Sequence, residues 1–305
     1  SEGLDVLVIE GNAPGGQAGT SSKIENYLGF PTGISGGDLT HRAFVQAEKF
    51  GASFSTPCAA VSLREHAGHL AVKLSDGSEV IGRAVIAASG ARYRRLPAAG
   101  IDEFETSSVF YAATELEARA CTPAPVVVVG GGNSAGQAAM FLAQSGSPVT
   151  IVIRGSDLGA SMSRYLVDRI IDHPNIEVRT QTTVTSLSGS LALEQVVLSG
   201  PDGDVKVPCQ GLFSFIGADP SSGWLSGCAA LDDHGFVVTD RALTEDQLGE
   251  DWQALNRAPL PFETSRPGLF AVGDLRAGST KRVAAAVGEG SAAVRAVHEY
   301  LAFGT

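Results

Sequence analysis

Of the 305 residues only four are cysteines, Cys58, Cys121, Cys209 and Cys228, and none stands in a C-x-x-C or a metal-ligand spacing. That excludes a disulfide-stapled scaffold and a zinc-type site, and it predicts four free thiols in a reducing compartment. Long apolar runs are also missing. The longest, VVVV at 126–129 and VTIVI at 149–153, are strand-sized, so no transmembrane helix is predicted. The first residues show no basic stretch leading into an apolar core and a cleavage site, so the expected location is the cytoplasm. Basic charge is scarce. Twenty-two Lys and Arg stand against 33 Asp and Glu, a net charge of −11. A chain of that sign is unsuited to nucleic acid or an anionic membrane, and it disfavours an acidic protein partner. The six histidines match no motif, and no repeat, low-complexity tract or charge run occurs.

What the chain has in quantity is glycine, 37 residues, gathered in loops between apolar strands and amphipathic helices. DVLVIE at 5–10 reads as a buried strand ending in the carboxylate Glu10, followed by the loop NAPGGQ. A helix is predicted over about 37–50, with Leu39, Ala43, Phe44, Ala47 and Phe50 on one face. Short strands follow at 57–63, 69–75 and 78–81 around the DG turn at 76–77, and AVIAASG at 84–90 is another strand ending at glycine. After the Pro-containing TPAP at 122–125, strands are predicted at 126–129, 149–153, 176–180, 193–198 and 211–215, with a helix over 162–172. The polar stretch 240–267, with three prolines, reads as a loop insertion. GLFAVGD then forms a strand, and a helix spans about 282–301. Alternating strands and helices predict a mostly parallel α/β core whose ligands bind at the carboxyl ends of strands.

VVVVGGGNSAGQAA fits G-x-G-x-x-A as Gly130, Gly132 and Ala135, between a strand and a helix. Gly130 makes the tight turn and Gly132 lets backbone N–H groups approach a pyrophosphate. Ala135 lets the helix pack close, and Asn133 and Ser134 open its positive end. The next strand ends at Arg154 where an NAD site would carry Asp or Glu. An arginine suits the 2′-phosphate of NADP, and Arg164 is a second candidate, so the reading is NADPH with NADH possible.

Six separated segments then fall into one order: Glu10, Gly15-Gly16-Gln17, Ile24-Glu25-Asn26-Tyr27, Ala87-Ala88-Ser89-Gly90, the 130–135 loop and Gly273-Asp274. In that order the whole chain resembles the thioredoxin reductase family of flavoproteins. ASMSRYLVDRI at 160–170 makes it most similar to the modules that bacteria fuse to cyclic-nucleotide-binding or response-regulator domains. The resemblance implies two Rossmann-like, three-layer dinucleotide-binding domains, the second inserted into the first. The FAD domain would be 1–112 with 241–305, the NAD(P)H domain 113–240, with hinges near Ala112 and Gly217–Pro220. It implies FAD on Glu10 (adenosine ribose), Gly15, Gly16, Gln17, Asn26, Val61 (adenine), Gly90, Gly273, Asp274 (ribityl), Arg282, Val283 and Ala284. The last helix's N-terminus, with Lys281 and Arg282, suits the charge that reduced flavin gains. It also implies a homodimer. SEGL resembles the tail of the domain's first helix, so the first strand and its G-x-G-x-x-G loop, about 25–30 residues, are missing here, either because they lie outside this sequence or because the protein lacks them. Whether FAD binds without them stays open.

Family members that reduce thioredoxin carry C-A-T-C after a tyrosine and before the glycine loop. This chain reads Tyr111-Ala112-Ala113-Thr114-Glu115, so Ala112 and Glu115 take the cysteine positions and no catalytic residue is assigned. Glu115 reads either as a proton relay or as a solvated loop residue, and Cys121 as an unreactive thiol. Two functions fit. One is an FAD-dependent NAD(P)H oxidoreductase passing electrons to a quinone, dioxygen or another protein's redox centre. The other is a non-catalytic flavin- or nicotinamide-binding sensor or regulatory module, reporting to a fused or separate domain. Thioredoxin-disulfide reductase activity is not expected.

Overall fold

The run Val126–Val129 is apolar at every position, which suits a strand covered on both faces. It lies at the centre of a parallel sheet in the order Ile176–Arg179, Val149–Val152, Val126–Val129, Gly211–Ser214, Val109–Phe110. Registers are regular, with Val126 opposite Val149 on one side and Gly211 on the other. The computed structural model describes residues 1–21, 24, 27–105, 107–255 and 257–303, and the backbone alone at 250, 251 and 254. The chain folds into two compact units, Ser1–Arg92 with Asp219–Thr305, and Tyr93–Ala218.

Three layers build the Tyr93–Ala218 unit. One sheet face, through Val126, Val128, Ile151 and Phe213, packs on the helices Asn133–Gln144 and Arg164–Ile171. The other, through Val127, Val129, Val152 and Leu212, packs on the antiparallel hairpins Thr183–Gly189, Leu193–Gly200 and Gly203–Pro208. Phe213 is fully buried between them, and its truncation to alanine would cost about 3–5 kcal/mol. Gly136 lets Met162 and the second helix pack close, because a Cβ there would stand 2.7 Å from Met162 Sδ and 3.2 Å from Ile170 Cδ1.

The other unit holds the parallel pairs Leu7–Ile9 with Ser53–Ser55 and Leu269–Ala271 with Val85–Ala87. It adds a three-stranded antiparallel sheet from Ala60 to Gly82 and the 21-residue helix Val283–Phe303. Its core joins Leu63, Leu70, Val72, Leu225, Val237, Leu269 and Leu275.

The units divide at Arg92/Tyr93 and Ala218/Asp219, earlier than the expected 112/113 and 240/241. Residues 93–112 join the second unit because Leu96, Ile101 and Phe104 fill its core and Val109 pairs with Leu212. Residues 219–240 join the first because Leu225 and Val237 are buried there.

Three sequence expectations change. The predicted helix forms as Gly36–Lys49, but Phe50 is 53% exposed and only Gly36 on the helix is buried. The stretch 240–267 is ordered rather than a loop. It carries short helices at Asp240–Ala242, Glu245–Gln247 and Glu250–Leu255, and buries Trp252, Leu260 and Glu263. At its centre Arg257 donates from both terminal nitrogens to the fully buried Glu263, at 2.7 and 2.9 Å. The backbone N–H groups of Leu260 and Gly268 donate to the same carboxylate. The Arg257 guanidinium also lies over Trp252, Tyr300 and Phe303, 5.0–5.8 Å from their ring centres. Finally, the strands Thr183–Gly189 and Gly203–Pro208 went unpredicted, because their exposed faces break the apolar pattern.

Candidate functional site

In the Tyr93–Ala218 unit the central strand runs into Gly130, whose N–H donates to Val152 O at 3.1 Å. Gly130 has φ +139°, and a Cβ would stand 2.6 Å from Phe215 O, so both conformation and space demand glycine. Gly132 is the N-cap of Asn133–Gln144 and has no side-chain cap, with no acidic residue in the first turn. The first helical bond runs from Gly136 N to Gly132 O, which leaves the N–H groups of Asn133, Ser134 and Ala135 at the open end. A Cβ on Gly132 would meet nothing within 4 Å. The loop is thus closed behind Gly130 and open in front of Gly132. That is the shape and polarity an anionic phosphate requires.

Two serines that sequence reasoning gave no role hold this loop. Ser161 Oγ donates to Gly131 O at 3.0 Å, and Ser163 N donates to Asn133 Oδ1 at 2.7 Å. Only the recurrence of small polar residues in ASMSR could have signalled them. Ala135 is fully buried beneath the loop. Arg154 is exposed just beyond Val149–Val152. Arg164 opens the following helix and donates to Asp168 at 2.8 Å, so it is turned along its own helix.

Next to Ala112 and Glu115, where the resemblance implies a dithiol, Thr114 caps the helix Glu115–Cys121 in a capping box with Glu117, whose Oε2 accepts from Thr114 N at 2.7 Å. Glu115 is the first helical residue. Its exposed carboxylate accepts from Arg119 at 3.0 Å. Cys121 lies at the far end of this helix, where burial and then Glu117 push its thiol up to about 11. Burial raises Cys209 to about 12. Cys58 and Cys228 are free thiols as well.

In the other unit Glu10 follows Leu7–Ile9, and its Oε1 accepts from Asn12 N at 3.0 Å. Gly15 packs against Thr40, Gly16 starts a short helix, and Gln17 Nε2 donates to Ala91 O. Asn26 lies outside the described residues. Val61 is 47% exposed on Ala60–His66. Gly90 has open space where a Cβ would stand. Ser89 Oγ beside it donates to Ser221 O at 2.7 Å and accepts from Trp224 Nε1 at 3.1 Å, a link that sequence reasoning missed.

Gly273 and Asp274 form a turn between Leu269–Ala271 and the last helix. The half-buried Asp274 carboxyl is raised above the ordinary range, by desolvation first and then by Glu289, while Lys281 and Arg282 oppose the rise. Val283 starts the helix and Ala284 is exposed on its first turn. The expected cationic pair is partly engaged. Lys281 Nζ lies 4.3 Å from the Phe236 ring centre, and Arg282 Nη1 donates to Lys281 O at 3.1 Å. Among the described residues no cluster of three or more His, Cys, Asp or Glu suits a metal ion, and no helix is long and apolar enough to cross a membrane.

The residues present fit phosphate at Gly132 and polyol or ribose hydroxyls at Glu10 and Asp274. Comparison with known proteins gives the family. A thioredoxin reductase of Penicillium chrysogenum is 30% identical over 317 residues, covering 97% of this chain and 86% of that protein. Mitochondrial thioredoxin reductase 1 of Arabidopsis thaliana is 32% identical over 304 residues, covering 95% and 74%. The solved thioredoxin reductase of Streptococcus pyogenes matches with a TM-score of 0.78 at 27% identity, covering 97% of this chain and 90% of that one. That of Giardia duodenalis matches with 0.82 at 23% identity, covering 98% and 91%, and shows the same fold. The architecture is that of two Rossmann-like dinucleotide-binding domains. The model of the pyridine nucleotide-disulphide oxidoreductases matches residues 1–290, through both units, and this chain belongs to that family.

Proposed function

We propose that the protein is an FAD-dependent NAD(P)H oxidoreductase of thioredoxin reductase type whose electron acceptor is not a disulfide of its own. The observation that carries this is Ala112 and Glu115 at the dithiol positions, with Cys121 and Cys209 buried and held protonated. Thioredoxin reductases of the family use FAD and NADPH. Bound FAD would supply a two-electron carrier between the nicotinamide and the acceptor.

The chain's own groups bind and orient. Gly130, Gly132, Asn133, Ser134 and Ala135 receive the NADPH pyrophosphate at a helix N-terminus. Arg154 meets the 2′-phosphate. Arg164 joins it by releasing Asp168, an exposed pair of little strength. Glu10 takes the adenosine ribose, Val61 the adenine side, and Asp274 the ribityl chain. Gly15, Gly16, Gln17, Gly90 and Gly273 give close approach, and Arg282, Val283 and Ala284 present a positive helix end to the reduced cofactor. The assembly proposed is a homodimer, as for thioredoxin reductases of the family, in the cytoplasm.

A second reading comes from the relatives' names, all thioredoxin reductases, and is ordinary thioredoxin reduction. A third is the sensor module. One experiment separates them. NADPH is added anaerobically to the flavin-loaded protein, and then a quinone, dioxygen or oxidised thioredoxin is supplied. Bleaching of the flavin with turnover on quinone or dioxygen supports the proposal. Turnover on thioredoxin abolished by Cys121→Ser supports the second reading. Bleaching without turnover on any acceptor supports the sensor. A flavin that never bleaches sinks the proposal.

A further inference from the structure

The turn that carries Asp274 and the helix that follows it are joined by one side chain. Glu289, in the second turn of Val283–Phe303, accepts from Gly273 N at 2.7 Å through Oε2. It also holds Arg276, with Nε donating to Oε2 at 3.1 Å and Nη2 to Oε1 at 2.7 Å. The pair is largely buried, with Arg276 19% and Glu289 13% exposed. One carboxylate therefore grips both ends of the four-residue segment on which Asp274 sits. The rest of the segment is fixed from other directions. A Cβ on Gly273 would stand 3.3 Å from Ala286 Cβ. Val237 N donates to Leu275 O at 3.0 Å, and Ala277 N donates to Val237 O at 2.9 Å. Arg276 also lies over the Phe262 ring at 5.4 Å, and its Nη1 donates to Ala277 O. Without the Glu289 carboxylate, the Gly273 N–H would lose its acceptor and the largely buried Arg276 guanidinium would keep only Ala277 O, and the turn would have to move to satisfy them.

We propose that Glu289 is a positioning residue for FAD: by clamping Gly273 and Arg276 to the last helix, it fixes the direction in which Asp274 presents its carboxyl to the ribityl chain. This rests on the reading of Asp274 as an FAD ligand. No functional signal marked Glu289 in the sequence, because its partners lie 13 and 16 residues away in a loop.

The test is FAD titration of the flavin-stripped full protein, followed by flavin fluorescence, with the visible circular dichroism of the bound flavin reporting how it is seated. Asp274→Ala, Glu289→Gln and the charge-neutral double variant Glu289→Gln with Arg276→Gln are compared with the wild type. NADP⁺ binding at the other unit checks folding. The expected result is weaker FAD binding in Asp274→Ala. Glu289→Gln should bind about tenfold more weakly with altered dichroism, and the double variant should recover most of that loss. If Asp274→Ala weakens FAD while Glu289→Gln keeps wild-type affinity and dichroism, the positioning role is wrong and the Asp274 reading stands. If Asp274→Ala binds as the wild type does, the Asp274 reading fails and the proposal falls with it. Should Glu289→Gln fail to fold, Glu289→Asp replaces it. That variant keeps the charge but retracts the carboxylate from Gly273, and unchanged FAD affinity there overturns the proposal.

Discussion

Replacing Gly132 by alanine tests the nucleotide site while sparing the fold that carries it. Gly132 has φ −89° and ψ 174°, extended backbone open to any residue, and a methyl there meets nothing within 4 Å. The cost to the folded chain is that of alanine for glycine at an N-cap, at most about 1 kcal/mol. The same methyl stands in front of the loop, where phosphate oxygens come within about 2.9 Å of backbone N–H groups. Both cannot occupy that space, so NADP⁺ affinity should fall about 100-fold, or 2.8 kcal/mol. Thermal unfolding with and without NADP⁺ reads this directly. At a ligand concentration 100 times the wild-type Kd, the wild type gains about 2.7 kcal/mol. At about 2–4 °C per kcal/mol that raises Tm by about 5–11 °C. For the variant the same concentration only equals Kd, the gain is about 0.4 kcal/mol, and Tm rises by about 1 °C. Gly130→Ala gives the contrast, because its φ of +139° and the 2.6 Å approach to Phe215 O lower Tm before any ligand is added. A Gly132→Ala protein that keeps the full ligand-induced rise would refute the placement of the pyrophosphate.

Glu263→Gln, read by thermal melting, should lower Tm by about 6–20 °C, because breaking a buried pair costs about 3–5 kcal/mol at 2–4 °C each. A change under about 2 °C would show that Arg257 finds another acceptor. Asp274 has a folded pKa raised above 3.8, so the native chain binds more protons than the unfolded one as pH rises past that value, and stability falls through the folded pKa. The destabilisation is complete above the folded pKa and absent below 3.8. Asp274→Asn should therefore raise the Tm of the flavin-free protein at neutral pH and flatten its pH dependence, while weakening FAD. With burial pushing Cys121 up to about 11, alkylation of the native thiol by iodoacetamide should run at least about tenfold slower than that of a free cysteine, since its thiolate is scarcer though more nucleophilic. Cys121→Ser should leave NADPH oxidation on a quinone unchanged.

The strand–glycine loop–helix unit at 126–144 was legible because its parts are contiguous, and local chemistry sets a local shape. The four-valine run announces its own double burial, and Gly130 sits where only glycine fits. What sequence reasoning missed is held by long-range pairs. Ser163 meets Asn133 across 30 residues, and Trp224 meets Ser89 across 135. Arg257 and Glu263 are only six apart, yet a segment rich in charge and proline reads as solvated. Two of the aromatic rings over Arg257, Tyr300 and Phe303, come from the far end of the last helix. The predicted face of Gly36–Lys49 shows the opposite error. Periodicity names an apolar face but not the element that covers it, and Phe50 is half exposed.

The helix that opens at Glu115 bears on the missing dithiol more than the substitution itself does. A helix N-terminus stabilises negative charge, and it is a setting in which a cysteine becomes a reactive thiolate. Here that positive end is intact. Thr114 and Glu117 form a complete capping box, and Glu115 and Glu117 occupy the first turn. The device that would lower a thiol's pKa hosts two carboxylates in this chain. No selective advantage in electron transfer follows from that, because a carboxylate at this place accepts no electrons. The thiol that remains on the helix, Cys121, lies at the negative end, buried and raised to about 11, where both the dipole and desolvation oppose a thiolate. Placing cysteines at 112 and 115 would restore the geometry for a dithiol at the activated end. Cys121, buried at the opposite end of the helix, lacks that setting.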